Sequence, residues 1–150
     1  MDSSSYISTL GALIANLHSF EMALRGYLAL RFDGDALAPT QEWDTLEVGD
    51  FVTETPFTDF SSLGTLIASY NAIAPAGHQV DPSIVDLRDA LAHGRFFNPS
   101  ATFPLRLLKF ARPVGGRAQV TWAATVDDAW LSLQRQRVFD ALASVAKPQA

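Results

Sequence analysis

Residues 6–32 constrain the fold more than any other part of this 150-residue chain. Apolar residues recur there at helical spacing, at Ile7, Leu10, Ile14, Leu17, Leu24 and Leu28, with Leu13, Phe20 and Tyr27 widening the stripe. One helix over that stretch is ~40 Å long, so other elements must pack along its length. Gly11 and Gly26 either weaken it slightly or mark close helix contacts. On a helical wheel with Leu17 at zero, the apolar arc runs from Tyr27 at ~280° round to Ile7 at ~80°. Glu21 falls inside that arc at ~40°, where a carboxylate is costly unless paired.

A chain of this length can bury a proper core, and residues 1–150 read as a single domain. The 48% hydrophobic fraction and 18% charged fraction are those of an ordinary globular protein. No run approaches the ~18–20 apolar residues that span a bilayer, and residues 1–5 lack the basic segment of a signal peptide. Cysteine is absent, which removes disulfides and thiolate metal ligands. The histidines, His18, His78 and His93, are scattered. The expectation is a cytoplasmic protein with no membrane association, no metal site and no cofactor.

The rest of the chain reads in order. Asp33-Gly34-Asp35 ends the first helix, and residues 33–57 form a folded loop whose Trp43, Phe51 and Phe57 cover the helices. A second helix starts with Thr58 as N-cap and Asp59 in its first turn and runs to about Ile73, before Pro75-Ala76-Gly77. Asp81-Pro82 starts a third, running from Pro82 to His93 with Gly94 as its stop. Beyond Asn98-Pro99 the period changes from helix to strand. Arg106, Leu108 and Phe110 alternate with Leu107, Lys109 and Ala111, and a second alternating run follows over residues 117–122. Pro113-Val114-Gly115-Gly116 between them marks a β-hairpin. Thr125, with Asp128 three residues later, opens a last helix through Val145, with Trp130, Leu131, Val138, Leu142 and Val145 inward, and Lys147-Pro148 ends it. The predicted class is mainly α, an up-and-down helical bundle with a β-hairpin inserted before the last helix.

Charge is divided along the chain. Residues 1–87 carry two basic residues against twelve acids, and residues 88–150 carry nine against four. Within 88–117, Arg88, Arg95, Arg106, Lys109, Arg112 and Arg117 face one acid, Asp89. Polyanion binding depends on such a local patch rather than on the whole-chain charge of −5, provided folding keeps the patch together.

The chemistry-bearing stretch is Leu87-Arg88-Asp89-Ala90-Leu91-Ala92-His93-Gly94-Arg95. On a wheel with Ile84 at zero, Leu87 sits at ~300°, Leu91 at ~340° and Arg88 at ~40°, inside the apolar sector. His93 sits at ~180°, so within one regular helix it points ~140° away from Arg88 and lies ~7.5 Å along the axis. The two cannot bind one phosphate from one straight helix. Either the helix breaks before His93, or the residues work in a groove shared with a second copy. Two readings stay open. A histidine in the last turn is favoured by the helix dipole and a glycine caps it, while Arg88 pairs with Glu21 in a buried contact. Alternatively, the segment is half of a site.

The segment resembles the signature of HEPN domains, helical proteins that include many toxin and phage-defence ribonucleases. In that motif an arginine, directly followed by a polar residue, precedes a histidine by a short run. Here four residues separate Arg88 from His93, and Asp89 takes the polar position where asparagine is commoner. Phe20-Glu21-Met22-Ala23-Leu24-Arg25 on the long first helix also resembles the opening helix of that superfamily. The hairpin reads as an insertion into the four-helix core.

The resemblance implies metal-independent RNA cleavage at a composite site across a homodimer, in a toxin or an abortive-infection system. His93 is then the general acid or base, Arg88 holds the scissile phosphate, and Asp89 orients either by hydrogen bonding. Arg95, Arg106, Lys109 and Arg112 supply RNA phosphate contacts along the groove. An antitoxin protein, basic against the acidic N-terminal half, is the expected partner. The alternative is a non-catalytic HEPN-like dimer that binds nucleic acid, a nucleotide or a partner protein.

Overall fold

The computed structural model describes residues 3–32, 43–98 and 103–146. Among these, the α-helices are α1 (Ser3–Phe32), α2 (Leu63–Ile73), α3 (Ile84–His93) and α4 (Asp128–Ala146). The strands β1 (Arg95–Phe97), β2 (Leu105–Phe110) and β3 (Val120–Val126) form an antiparallel sheet in the order β1-β2-β3. The mainly α class holds. No helix among the described residues is long and apolar enough to cross a membrane. The expected stops at Asp33-Gly34-Asp35 and Lys147-Pro148 lie outside the described residues.

The chain divides into two compact units, and both draw on α1 and α4. One comprises Met1–His18 with Ser83–Asp140, the other Ser19–Pro82 with Ala141–Ala150.

Along α1 the buried line is Tyr6, Leu13, Leu17, Phe20, Leu24 and Leu28. On the Leu17 wheel these fall between ~300° and ~20°, and toward the C-terminal end the buried surface widens through Arg25 at ~80° to Ala29 at ~120°. At the N-terminal end the arc leaves out Ile7, which is 65% exposed, whereas Glu21 at ~40° lies within the widened part and is half-buried against Arg25. A wide apolar stripe fixes the helical period but leaves the phase of burial open.

In the second unit, α2 buries Leu63, Leu66, Ile67 and Tyr70. The Tyr70 ring meets Tyr27 edge-on at 4.9 Å, and its hydroxyl donates to the His78 and Ser144 carbonyls. Asn71 exchanges two 2.8 Å hydrogen bonds with the Val80 backbone and so closes the connection after α2.

The start of α2 departs from expectation. Ser62 is the N-cap and accepts from the Thr65 amide, while Thr58 and Asp59 stay in the preceding turn. There Thr58 accepts from the Thr55 amide, and Asp59 accepts from the Ser61 amide and from Arg25. Those bonds hold both side chains in the turn, four residues short of the helix. Of the loop aromatics, Phe57 lies against Gly26 and near the Trp43 ring, but Trp43 is half-exposed and Phe51 is solvated.

Arg25 organises this unit. Its guanidinium is buried and donates to Glu21 Oε1 (3.0 and 3.3 Å), Asp59 Oδ1 (2.8 Å) and the Pro56, Ser61 and Asp59 carbonyls. Burial opposes its charge, yet the hydrogen bonds to Asp59 and Glu21 outweigh that and raise its pKa. The Ser61 amide, and then Arg25, hold the Asp59 carboxyl below its ordinary value.

In the first unit, α3 begins at Ile84, two residues later than Pro82, and ends at His93 as expected. Gly94 is not in the left-handed region, its φ being −73°. Glycine is required there by close approach: a Cβ would strike the Ala90 carbonyl and sit 2.7 Å from Leu107 Cδ1. The hairpin is present, with Gly115 and Gly116 at φ +58° and +76°, the pair of positive values a two-residue turn of this hand requires. The third strand, β1, was not expected, because three residues are too few to establish an alternation. Asp127, not Thr125, caps α4, accepting from the Trp130 amide at 2.8 Å. Thr125 is part of β3 and accepts from Arg106. Of the side chains expected inward, Leu131, Val138 and Val145 are buried, whereas Trp130 and Leu142 are half-buried.

Candidate functional site

α3 is a regular helix through His93, buried along Ile84, Leu87 and Ala90. The buried arc therefore centres on Leu87, and Arg88 lies at its rim with 41% of its side chain exposed. Arg88 Nη1 donates to Asp89 Oδ1 at 3.0 Å. Lys109 Nζ on β2 lies 3.7 Å from Asp89 Oδ2, so one carboxylate joins two cations from two elements. The expected pair between Glu21 and Arg88 is not formed. Glu21 is held by Arg25 and Arg88 by Asp89, each acid taken by a cation close to it in sequence. His93 is exposed, makes no hydrogen bond among the described residues, and is the last helical residue. With no break in the helix, the ~140° divergence from Arg88 stands.

The sheet separates the four residues expected to contact RNA phosphates. Leu107 and Lys109 point toward α3, as the Gly94 and Asp89 contacts require. Arg106, Leu108 and Phe110 therefore point to the other face, because side chains alternate along a strand. Arg95 pairs across from Leu108 and lies over the Phe110 ring at 5.6 Å, on that same outer face. Arg112 follows β2 and is exposed. Arg95 and Arg106 thus share one surface and Lys109 occupies the opposite one, so a single groove holding Arg95, Arg106 and Lys109 is not formed in one copy.

Two features escaped the sequence reading. Phe97 and Phe110 stand on the outer face beside the arginines, with rings 6.3 Å apart. The run Arg95-Phe96-Phe97 carried that signal, but only pairing with β2 shows which ring shares a face with Arg95. The Arg25 network has a local part, the Glu21 pair one helical turn away, but its contacts to Pro56, Asp59 and Ser61 join residues up to 36 apart in sequence.

Among the described residues, no group of three or more histidines and carboxylates is placed to hold a metal ion. No family model, no curated protein and no solved structure matches the chain.

Proposed function

We propose that this protein is an endoribonuclease of the HEPN type, with the helical-bundle arrangement of that class, acting as a homodimer without a metal. The observation carrying this reading is the end of α3, where Asp89 holds Arg88 and Lys109 together and His93 is open to solvent. In the proposed reaction His93 takes the proton from a ribose 2′-hydroxyl. The 2′-oxygen attacks phosphorus, the bond to the 5′-oxygen breaks, and His93 of the second copy returns a proton to that leaving oxygen. Arg88 stabilises the charge developing on the phosphate, for which its planar, permanently charged fork is suited. The divergence of Arg88 from His93 on one helix is the reason for the second copy. The proposed setting is a toxin or anti-phage role in the cytoplasm, with a basic protein as antitoxin.

The test is RNA incubated with the purified protein in EDTA. Wild type cleaves, while His93→Ala and Arg88→Ala lose about a hundredfold or more of that rate and keep the wild-type melting temperature. Wild-type cleavage no faster than that of both variants would overturn the enzymatic reading. The second reading, a non-catalytic dimer that binds nucleic acid, a nucleotide or a protein, is favoured by the neutralisation of Arg88 by Asp89. It predicts binding with no cleavage in the same assay.

A further inference from the structure

The outer face of the sheet has a composition that the cleavage reading does not use. Arg95 and Phe97 of β1 stand beside Arg106 and Phe110 of β2, and β3 sets the small side chains Ala123 and Thr125 opposite Leu108 and Arg106. Arg95, Arg106, Ala123 and Thr125 are exposed, and Phe97 is 39% exposed, so no described element covers this face. Neither arginine is paired with a carboxylate among the described residues. Arg106 donates one hydrogen bond to Thr125, and Arg95 lies over the Phe110 ring. Among the described residues no acid stands on the face, although the whole chain carries five more acidic than basic residues. Arg112 and Arg117, both exposed, extend the positive charge beyond the end of β2 and into the hairpin turn.

We infer that this face binds single-stranded nucleic acid, with unpaired bases stacking on Phe97 and on the Arg95–Phe110 pair while Arg106, Arg112 and Arg117 meet phosphates. The physical case rests on the combination. A basic surface alone attracts any polyanion, including a duplex, through counterion release. Aromatic faces among the cations add an interaction available only to bases outside a helix. The inference rests on the preceding reading for its choice of RNA as ligand, and not on cleavage or dimerisation. Arg95, Phe97, Arg106 and Phe110 face away from α3, so this surface acts as a binding platform on the face of the sheet opposite Lys109.

The experiment uses the full chain carrying His93→Ala, so that cleavage cannot deplete the probe. Fluorescence anisotropy reads binding of labelled oligo(U) RNA of about twelve nucleotides, the same length as DNA, and a duplex. Oligo(U) is expected to bind about tenfold or more tighter than the duplex, and Phe97→Ala to weaken it about fivefold to a hundredfold. Phe97→Tyr retains binding, which separates stacking from damage to the fold. Phe97→Leu keeps the apolar bulk and loses the effect. Arg106→Gln lowers the slope of log affinity against log salt by about 0.7. Equal binding of single-stranded DNA supports the stacking platform, because both strands present the same ring faces. The inference is overturned if Phe97→Ala or Phe97→Leu binds as wild type does, if the duplex binds as tightly, or if an oligoglutamate peptide competes as well as RNA. If binding behaves as expected while the His93-intact protein cleaves nothing, the nuclease reading fails and the platform stands.

Discussion

Replacing Arg25 by methionine removes a buried cation and keeps the length of the side chain. The Arg25 side chain is 8% exposed, and its guanidinium serves five acceptor atoms on Glu21, Pro56, Asp59 and Ser61. Losing one member of such a buried pair costs about 3–5 kcal/mol, chiefly because the remaining charges keep their desolvation cost without a partner. Here Glu21 and Asp59 keep 24% and 29% of their side-chain surface, so water recovers part of the loss. That places Arg25→Met near the lower bound, about 3 kcal/mol. At roughly 2–4 °C per kcal/mol for a chain of this size, Tm falls by about 6–12 °C. Arg25→Lys keeps the charge but cannot reach acceptors on several sides with one ammonium, and loses about 1–2 kcal/mol. Urea unfolding followed by circular dichroism measures both, with an unchanged m value showing that stability and not compactness has moved. A loss below about 0.5 kcal/mol for Arg25→Met, the range of an ordinary surface substitution, would refute the idea that this network holds residues 56–61 to α1.

Three further outcomes follow from other contacts. Because the Ser61 amide and Arg25 depress the Asp59 pKa, its contribution to stability is complete above the unfolded value, about 3.9, and is lost as pH falls through the folded one. Asp59→Asn should therefore flatten the stability profile below about pH 4, and urea midpoints on both sides of that pH check it. Gly94→Ala should cost about 1–3 kcal/mol through collision of the new Cβ with the Ala90 carbonyl and Leu107, although the backbone there suits alanine; a melting curve equal to wild type would sink the close-approach argument. The Tyr6 hydroxyl is buried without a well-formed hydrogen bond among the described residues; burial raises its pKa, and a weak contact with the Leu105 backbone only partly opposes that. Tyr6→Phe should accordingly be neutral or slightly stabilising in urea unfolding, and a loss above about 1 kcal/mol would reveal a partner for the hydroxyl.

The sequence by itself determined the features that are local. The period of α1, the ends of α2 and α3 at Ile73 and His93, and the Gly115-Gly116 turn each follow from residues within one or two turns of chain. The divergence of Arg88 from His93 was also legible, since it needs only a regular helix. Tertiary structure decided what depends on partners distant in sequence. It chose which part of the α1 stripe is buried, set Arg25 among the acceptors of residues 56–61, recruited Asp59 into the turn before α2, and added β1 to the hairpin. It also divided the basic segment, placing Lys109 beside Asp89 and setting Arg95 and Arg106 on the opposite face of the sheet. The physical reason is the same in each case. Periodicity and turn chemistry are properties of a short stretch of backbone, whereas the phase of burial and the partner of a charge are set by whichever surface the chain brings against them.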